Sequence, residues 1–147
     1  IVSSWDVLNG QEVTGDCVVI GGGLVGAETA EYLANKGHQV TIVEMMDKIA
    51  AGESTTVLPL MMKDFADHNV KQLVNTKVDH IENNIVYTAN DQIKADTIIN
   101  ALGSKKNIFD DSSITIPHVY VGDCSGERTA DIASAIRTAY HAANAID

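Results

Sequence analysis

Cys17-Val18-Val19-Ile20-Gly21-Gly22-Gly23-Leu24-Val25-Gly26-Ala27-Glu28 is a short apolar run feeding a G-x-G-x-x-G turn and then small, helix-forming residues. The order reads as strand, tight turn, helix. Gly21 permits the turn, Gly23 lets the backbone approach a pyrophosphate with no side chain between, and Gly26 lets the new helix pack closely on the sheet. The first amides of that helix and the positive end of its dipole would face the anion. Gly22, Leu24 and Val25 supply the remaining backbone of the turn.

Working outward, Leu24, Ala27, Ala30, Leu33 and Ala34 fall on one helical stripe, and Asn35-Lys36-Gly37 ends the helix with a glycine suited to a left-handed cap. A second strand follows at Gln39-Val40-Thr41-Ile42-Val43-Glu44. Glu44 ends it 23 residues after Gly21, where a dinucleotide-binding unit places the acid that accepts hydrogen bonds from a ribose. Met45 comes next. Because no arginine stands at this strand end, the acid favours NAD(H) over its 2′-phosphorylated relative.

The pattern continues as α/β. Thr55 to His68 has Val57, Leu58, Met61, Met62 and Phe65 at helical spacing, with Ser54 or Thr55 as cap and Pro59 tolerable in the first turn. Val70 to Val74 reads as a third parallel strand. Short alternating strands then follow over Lys77–Glu82, Ile85–Ala89 and Ile93–Ala95, separated by turns at Asn83-Asn84 and Asn90-Asp91. This is a β-meander. Thr97 to Leu102 returns to the main sheet and runs into Gly103. Beyond a polar stretch from Ser104 to Ser113, the sequence predicts a strand at His118-Val119-Tyr120-Val121, a turn at Gly122-Asp123 and an alanine-rich helix from about Thr129 to Ile146. Ile132, Ile136, Ala139, Ala143 and Ile146 form its expected inward stripe. The expected architecture is a Rossmann-like three-layer α/β domain with a parallel sheet and an inserted β-meander.

Composition narrows the function. The chain has 147 residues, 45% of them hydrophobic, and a formal net charge of −10. That charge argues against nucleic acid or an anionic membrane as partner, since both call for a basic face. The two cysteines, Cys17 and Cys124, form no C-x-x-C pair, and the five histidines show no metal-ligand spacing. No metal site is expected, and a reducing cytoplasm is the expected setting. The chain opens at Ile1 with no charged-then-apolar leader, and we expect it to be a piece of a longer, non-secreted protein.

Several segments resemble the carboxyl-terminal region of flavin oxidoreductases in the Old Yellow Enzyme-like NADH oxidase, enoate reductase and 2,4-dienoyl-CoA reductase group. That region is a pyridine-nucleotide-disulfide-oxidoreductase-type domain. Trp5 to Gly10 is similar to the family's connector, and Val19 to Ala30 resembles its NAD(P)H motif, including the glutamate at Glu28. Ala101-Leu102-Gly103 resembles the strand closing the nucleotide domain. Val121-Gly122-Asp123-Cys124 resembles the segment that returns to the FAD domain and meets the flavin through its aspartate. There are departures: the chain has one glycine fingerprint where the family has two, and Lys106 where the family often has proline. It also has neither the barrel with its FMN nor the cysteine cluster for an iron-sulfur centre.

The resemblance implies a connector over 1–15, an NAD(H)-binding domain over 16–104 and a returning FAD-domain segment over 105–147. It implies a parent enzyme that passes hydride from NAD(H) to FAD and on to an electron-poor substrate, with the rest of that chain as partner. Glu28 would lie near the nicotinamide and Asp123 near the flavin, with no catalytic residue in this piece. Two other classes share a glycine turn. A non-catalytic NAD-sensing domain would lack flavin and barrel domains in the full gene. A methyltransferase would bind S-adenosylmethionine and would have no pyrophosphate to make Gly26 necessary.

Overall fold

The computed structural model describes residues 1–107, 110–125 and 132–146. These form two compact units, Ile1–Gly103 and Ser104–Asp147. The first unit holds a five-stranded, wholly parallel sheet. Its strands are β1 (Val2–Ser3), β2 (Cys17–Ile20), β3 (Val40–Val43), β4 (Lys71–Leu73) and β8 (Thr97–Asn100), in the order β1-β8-β2-β3-β4. A separate antiparallel sheet contains β5 (Val78–Glu82), β6 (Ile85–Thr88) and β7 (Gln92–Lys94). Three helices complete the unit: α1 (Ser4–Leu8), α2 (Leu24–Asn35) and α3 (Leu58–Asp67).

Parallel strands covered on both faces read as continuous apolar runs because each face needs its own core. β2 shows this directly, with all four residues buried. Cys17 and Val19 pack with Ala27, Ala30 and Leu33 of α2 and Met61 and Phe65 of α3. Val18 and Ile20 belong instead to a second core with Val86, Ala95, Val78 and Ile93 of the meander. Ile99 and Ile98 of β8 divide in the same way, following the two-residue period of a strand. The layers are therefore helices, parallel sheet and meander, as expected.

Local chemistry sets the ends. Gly37 takes φ +91° and its amide reaches the Ala34 carbonyl, closing α2. Asn83 and Asn84 both have positive φ, which the tight β5–β6 hairpin requires. α3 begins at Leu58, later than the pattern predicts, with Pro59 in its first turn. The Ser54 hydroxyl accepts from the Val57 amide and holds the approach.

Residues 1–15, a connector by the resemblance, also contribute β1, which pairs in parallel with β8, and α1, which packs on α2 and buries Val7 completely. One expectation about α2 is corrected. Leu24, placed on the inward stripe of α2, is 40% exposed because it sits at the helix start, beyond the edge of the core.

In the second unit, no strand forms at His118–Val121, since β-prone residues make a strand only when another pairs with them. The carboxyl-terminal helix α4 spans Ile132–Asn144, and Thr129 lies outside the described residues. Its expected inward stripe faces outward: Ile132, Ile136 and Ile146 are exposed, and so are Ala139 and Ala143. The buried side is marked by Ser134, and the Thr138 hydroxyl accepts from the Gly122 amide at 2.8 Å.

Candidate dinucleotide site

After the short edge strand β1, the chain lays down β2, adds β3 and β4 on one side of it, and returns through the meander to place β8 on the other side, between β2 and β1. The strand order thus reverses at β2, and open α/β sheets hold ligands beyond the carboxyl ends of the strands at that reversal. The glycine turn lies there. Its four glycines meet different surroundings. A Cβ on Gly26 would sit 1.9 Å from the Gly21 carbonyl oxygen, so this position is closed by the packing of α2 on the turn. Gly21 has φ +101°, and a Cβ there would come within 2.5 Å of the Ala101 oxygen. At Gly22 the obstacles are the Ile49 side chain at 2.5 Å and Glu44 Cβ at 3.0 Å.

Gly23 differs. It caps α2 with ordinary extended geometry, φ −65° and ψ −174°, and a Cβ would meet nothing within 4 Å. The fold therefore leaves an open space at the amino end of α2, where Leu24 and Val25 carry first-turn amides that have no acceptor within the helix. A pyrophosphate approaching those amides is the group such a space fits.

Glu44 is buried at 9% exposure, and both of its carboxylate oxygens are held. Oε2 accepts from the Gly22 amide at 2.6 Å and Oε1 from the Met46 amide at 2.7 Å. The carboxylate is thereby fixed beside the glycine turn, with lone pairs remaining for ribose hydroxyls. Ile49 and Ala50 fold back over the same place, and the Ala50 amide donates to the Gly22 carbonyl at 2.7 Å. Ala50 has φ +51°, an uncommon conformation for alanine that this contact sustains.

A groove of about 660 Å³ opens from these elements. It is lined by Gly21, Gly23, Glu44, Met45 and Gly103 among the expected residues, and also by Met46, Leu102 and Thr76–Ile81. Met45, Met46 and Leu102 are 62%, 58% and 73% exposed, so bare apolar side chains gather along this groove. The sequence reading missed the wall built by residues 76–81. A usable signal existed: residues that directly follow parallel strands gather at one edge of the sheet, and 76–81 follow β4. The Thr76 amide donates to the Glu44 carbonyl at 2.8 Å, tying that wall to β3.

Some expected residues lie apart from the groove. Glu28 is exposed on α2 and does not line it. Gly122, at φ +62°, and the exposed Asp123 form a short 3-10 turn in the second unit. Cys17 faces the helix-side core, and burial pushes its thiol up to about 11, with Asp16 and Asp96 adding to the shift. It is a packing residue at neutral pH. No helix among the described residues is long and apolar enough to cross a membrane.

Sheet, glycine turn and strand-end acid define a dinucleotide-binding α/β domain. The chain belongs to the pyridine nucleotide-disulphide oxidoreductase family, whose model matches residues 1–145. That family of oxidoreductases implies a pyridine nucleotide and FAD as cofactors. A bilirubin reductase from Mediterraneibacter gnavus is 44% identical over 154 aligned positions, covering 99% of this chain and 24% of the relative. A cinnamate reductase from Clostridium sporogenes is 30% identical, covering 99% and 23%. Among solved structures, a 2-naphthoyl-CoA reductase bound to 2-naphthoyl-CoA superposes with a TM-score of 0.72 at 30% identity, covering 97% of this chain and 23% of that one. The chain thus spans about a quarter of the length of these relatives.

Proposed function

We propose that this chain is the NAD(H)-binding module of a larger flavin-dependent oxidoreductase of the Old Yellow Enzyme-like NADH oxidase and enoate reductase group. The observation that carries the reading is the open Cβ position of Gly23 beside a fixed Glu44. The first-turn amides of α2 would hold the pyrophosphate, Glu44 the adenosine ribose, and Met45 and Gly103 the flanks of the groove. Glu28 is assigned to the nicotinamide end by resemblance, and Asp123 to the flavin side on the same ground.

When bound, the nicotinamide supplies a hydride. The work of this chain is to bind and orient the donor. The described residues build one glycine turn at a helix amino end, and the Gly122 amide is already taken by Thr138. The sequence carries one glycine fingerprint where the family has two, and on that ground the flavin belongs in this reading to the rest of the parent chain. The same holds for FMN and an iron-sulfur centre.

The names of the relatives include reductases of bilirubin, cinnamate and 2-naphthoyl-CoA, all conjugated and able to accept hydride. They support an electron-poor unsaturated substrate for the parent, while the two free cysteines support a reducing, cytoplasmic setting. Expressing the full gene and assaying NADH consumption against such acceptors tests this. A parent without a flavin domain would favour an NAD-sensing role instead.

A further inference from the structure

In the second unit, the stretch from Asp110 to Tyr120 has no strand or helix of its own, yet its side chains converge. Asp111 Oδ2 accepts from the Tyr120 hydroxyl at 2.6 Å and lies 2.8 Å from His118 Nε2. The other ring nitrogen, His118 Nδ1, lies 3.0 Å from the Ile116 carbonyl oxygen. Both nitrogens of one imidazole therefore face acceptors. A neutral imidazole carries one N–H and can make only one of these bonds, whereas the imidazolium donates from both. The His118 and Tyr120 rings also meet edge to face, with centroids 5.9 Å apart. Asp111 is tied back into the loop, because its carbonyl accepts from the Ile114 amide at 2.8 Å.

We infer that Asp111, His118 and Tyr120 form a proton-dependent clasp, closed by the His118 imidazolium, that fixes the segment leading into Gly122–Asp123. This regulatory device stands on the geometry of the loop and does not depend on the nucleotide reading. Asp111 and Tyr120 are the ionisable groups facing His118 among the described residues, with Cys124 beside the phenol.

The directions agree with the geometry. His118 is pushed above the usual imidazole value by the Ile116 carbonyl and then by Asp111. Asp111 is held below the usual carboxylate value by the bonds from Tyr120 and His118. A raised folded value for His118 means that its contribution is complete below the ordinary imidazole pKa and is lost as pH rises through the folded one. A lowered value for Asp111 means that its contribution is present above the ordinary carboxylate pKa and is lost as pH falls through the folded one. The clasp is thus closed in mildly acidic solution and loosens on the alkaline side of His118.

Histidine-detected NMR of the intact 147-residue chain reads this. His118 should titrate above the ~6.5 of an ordinary imidazole. The amides of Ile116, Val119 and Tyr120 should move with the same midpoint, and Asp111→Asn should shift His118 downward. Tyr120→Phe, a milder change that guards against misfolding, should raise Asp111 and leave His118 above the ordinary imidazole value. An ordinary His118 midpoint that Asp111→Asn leaves unmoved, or neighbouring amides that ignore it, would overturn the clasp.

Discussion

A methyl group added at Gly26 would have to displace the Gly21 carbonyl from 1.9 Å, whereas one added at Gly23 would enter open space. Packing thus accounts for Gly26, whereas nothing within the chain requires a glycine at Gly23, and the proposed reading assigns that position to the ligand. Gly26→Ala should destabilise the chain by about 1–3 kcal/mol, the usual cost of overpacking, and thermal denaturation followed by circular dichroism measures it. Unchanged stability would mean that α2 can slide away from the turn freely. Glu44 makes a second prediction. Its carboxylate is pinned by the amides of Gly22 and Met46 and cannot swing aside for a 2′-phosphate. Two unit charges 4 Å apart repel by about 4 kcal/mol at an effective dielectric near 20, an upper figure for an open groove. A quarter of that is about a fivefold preference for NADH over NADPH, to be read by parallel calorimetric titrations. Tighter binding of NADPH would show that the acid does not face the ribose.

Elements were legible where the chain's own neighbours decide them. β2, α2 and β3 follow from an apolar run, a glycine turn and a periodic stripe, and the meander follows from Asn83-Asn84 and alternation. The elements that escaped the reading depend on distant partners. β1 has two residues and α1 five, too short for any periodicity, and their place is set by β8 and α2. Ile49 and Ala50 reach the glycine turn through a contact with Gly22 that no local pattern announces. α4 teaches the opposite lesson, because its stripe is visible in the sequence yet exposed. Periodicity reports that a face could be buried, and a covering surface is needed to bury it. Ile136 is 66% exposed. Ile136→Ala should therefore change the stability of this chain by less than about 0.5 kcal/mol, as measured by urea unfolding. A loss of 2 kcal/mol or more, typical of a buried isoleucine, would place that side chain in a core.

In the proposed reading the chain seats the hydride donor at the amino end of α2 and leaves the acceptor to the rest of the parent enzyme. Hydride transfer needs donor and acceptor about 3–3.5 Å apart, and the acceptor cofactor must be positioned by a binding fold of its own. The purified 147-residue chain should therefore show no sustained NADH oxidation and no stoichiometric flavin absorbance, both read in a spectrophotometer. Steady turnover without added protein would mean that its second unit completes a flavin site. The central claim is that the groove beside Gly23 and Glu44 seats the pyrophosphate and ribose of NAD(H). Calorimetric titration of NADH into the wild-type chain and into Gly23→Val tests it most directly. Saturable one-to-one binding to the wild type, lost in a variant whose circular dichroism and melting are unchanged, is the expected result. A folded Gly23→Val chain that binds NADH as the wild type does, or a wild type that binds none, would contradict it.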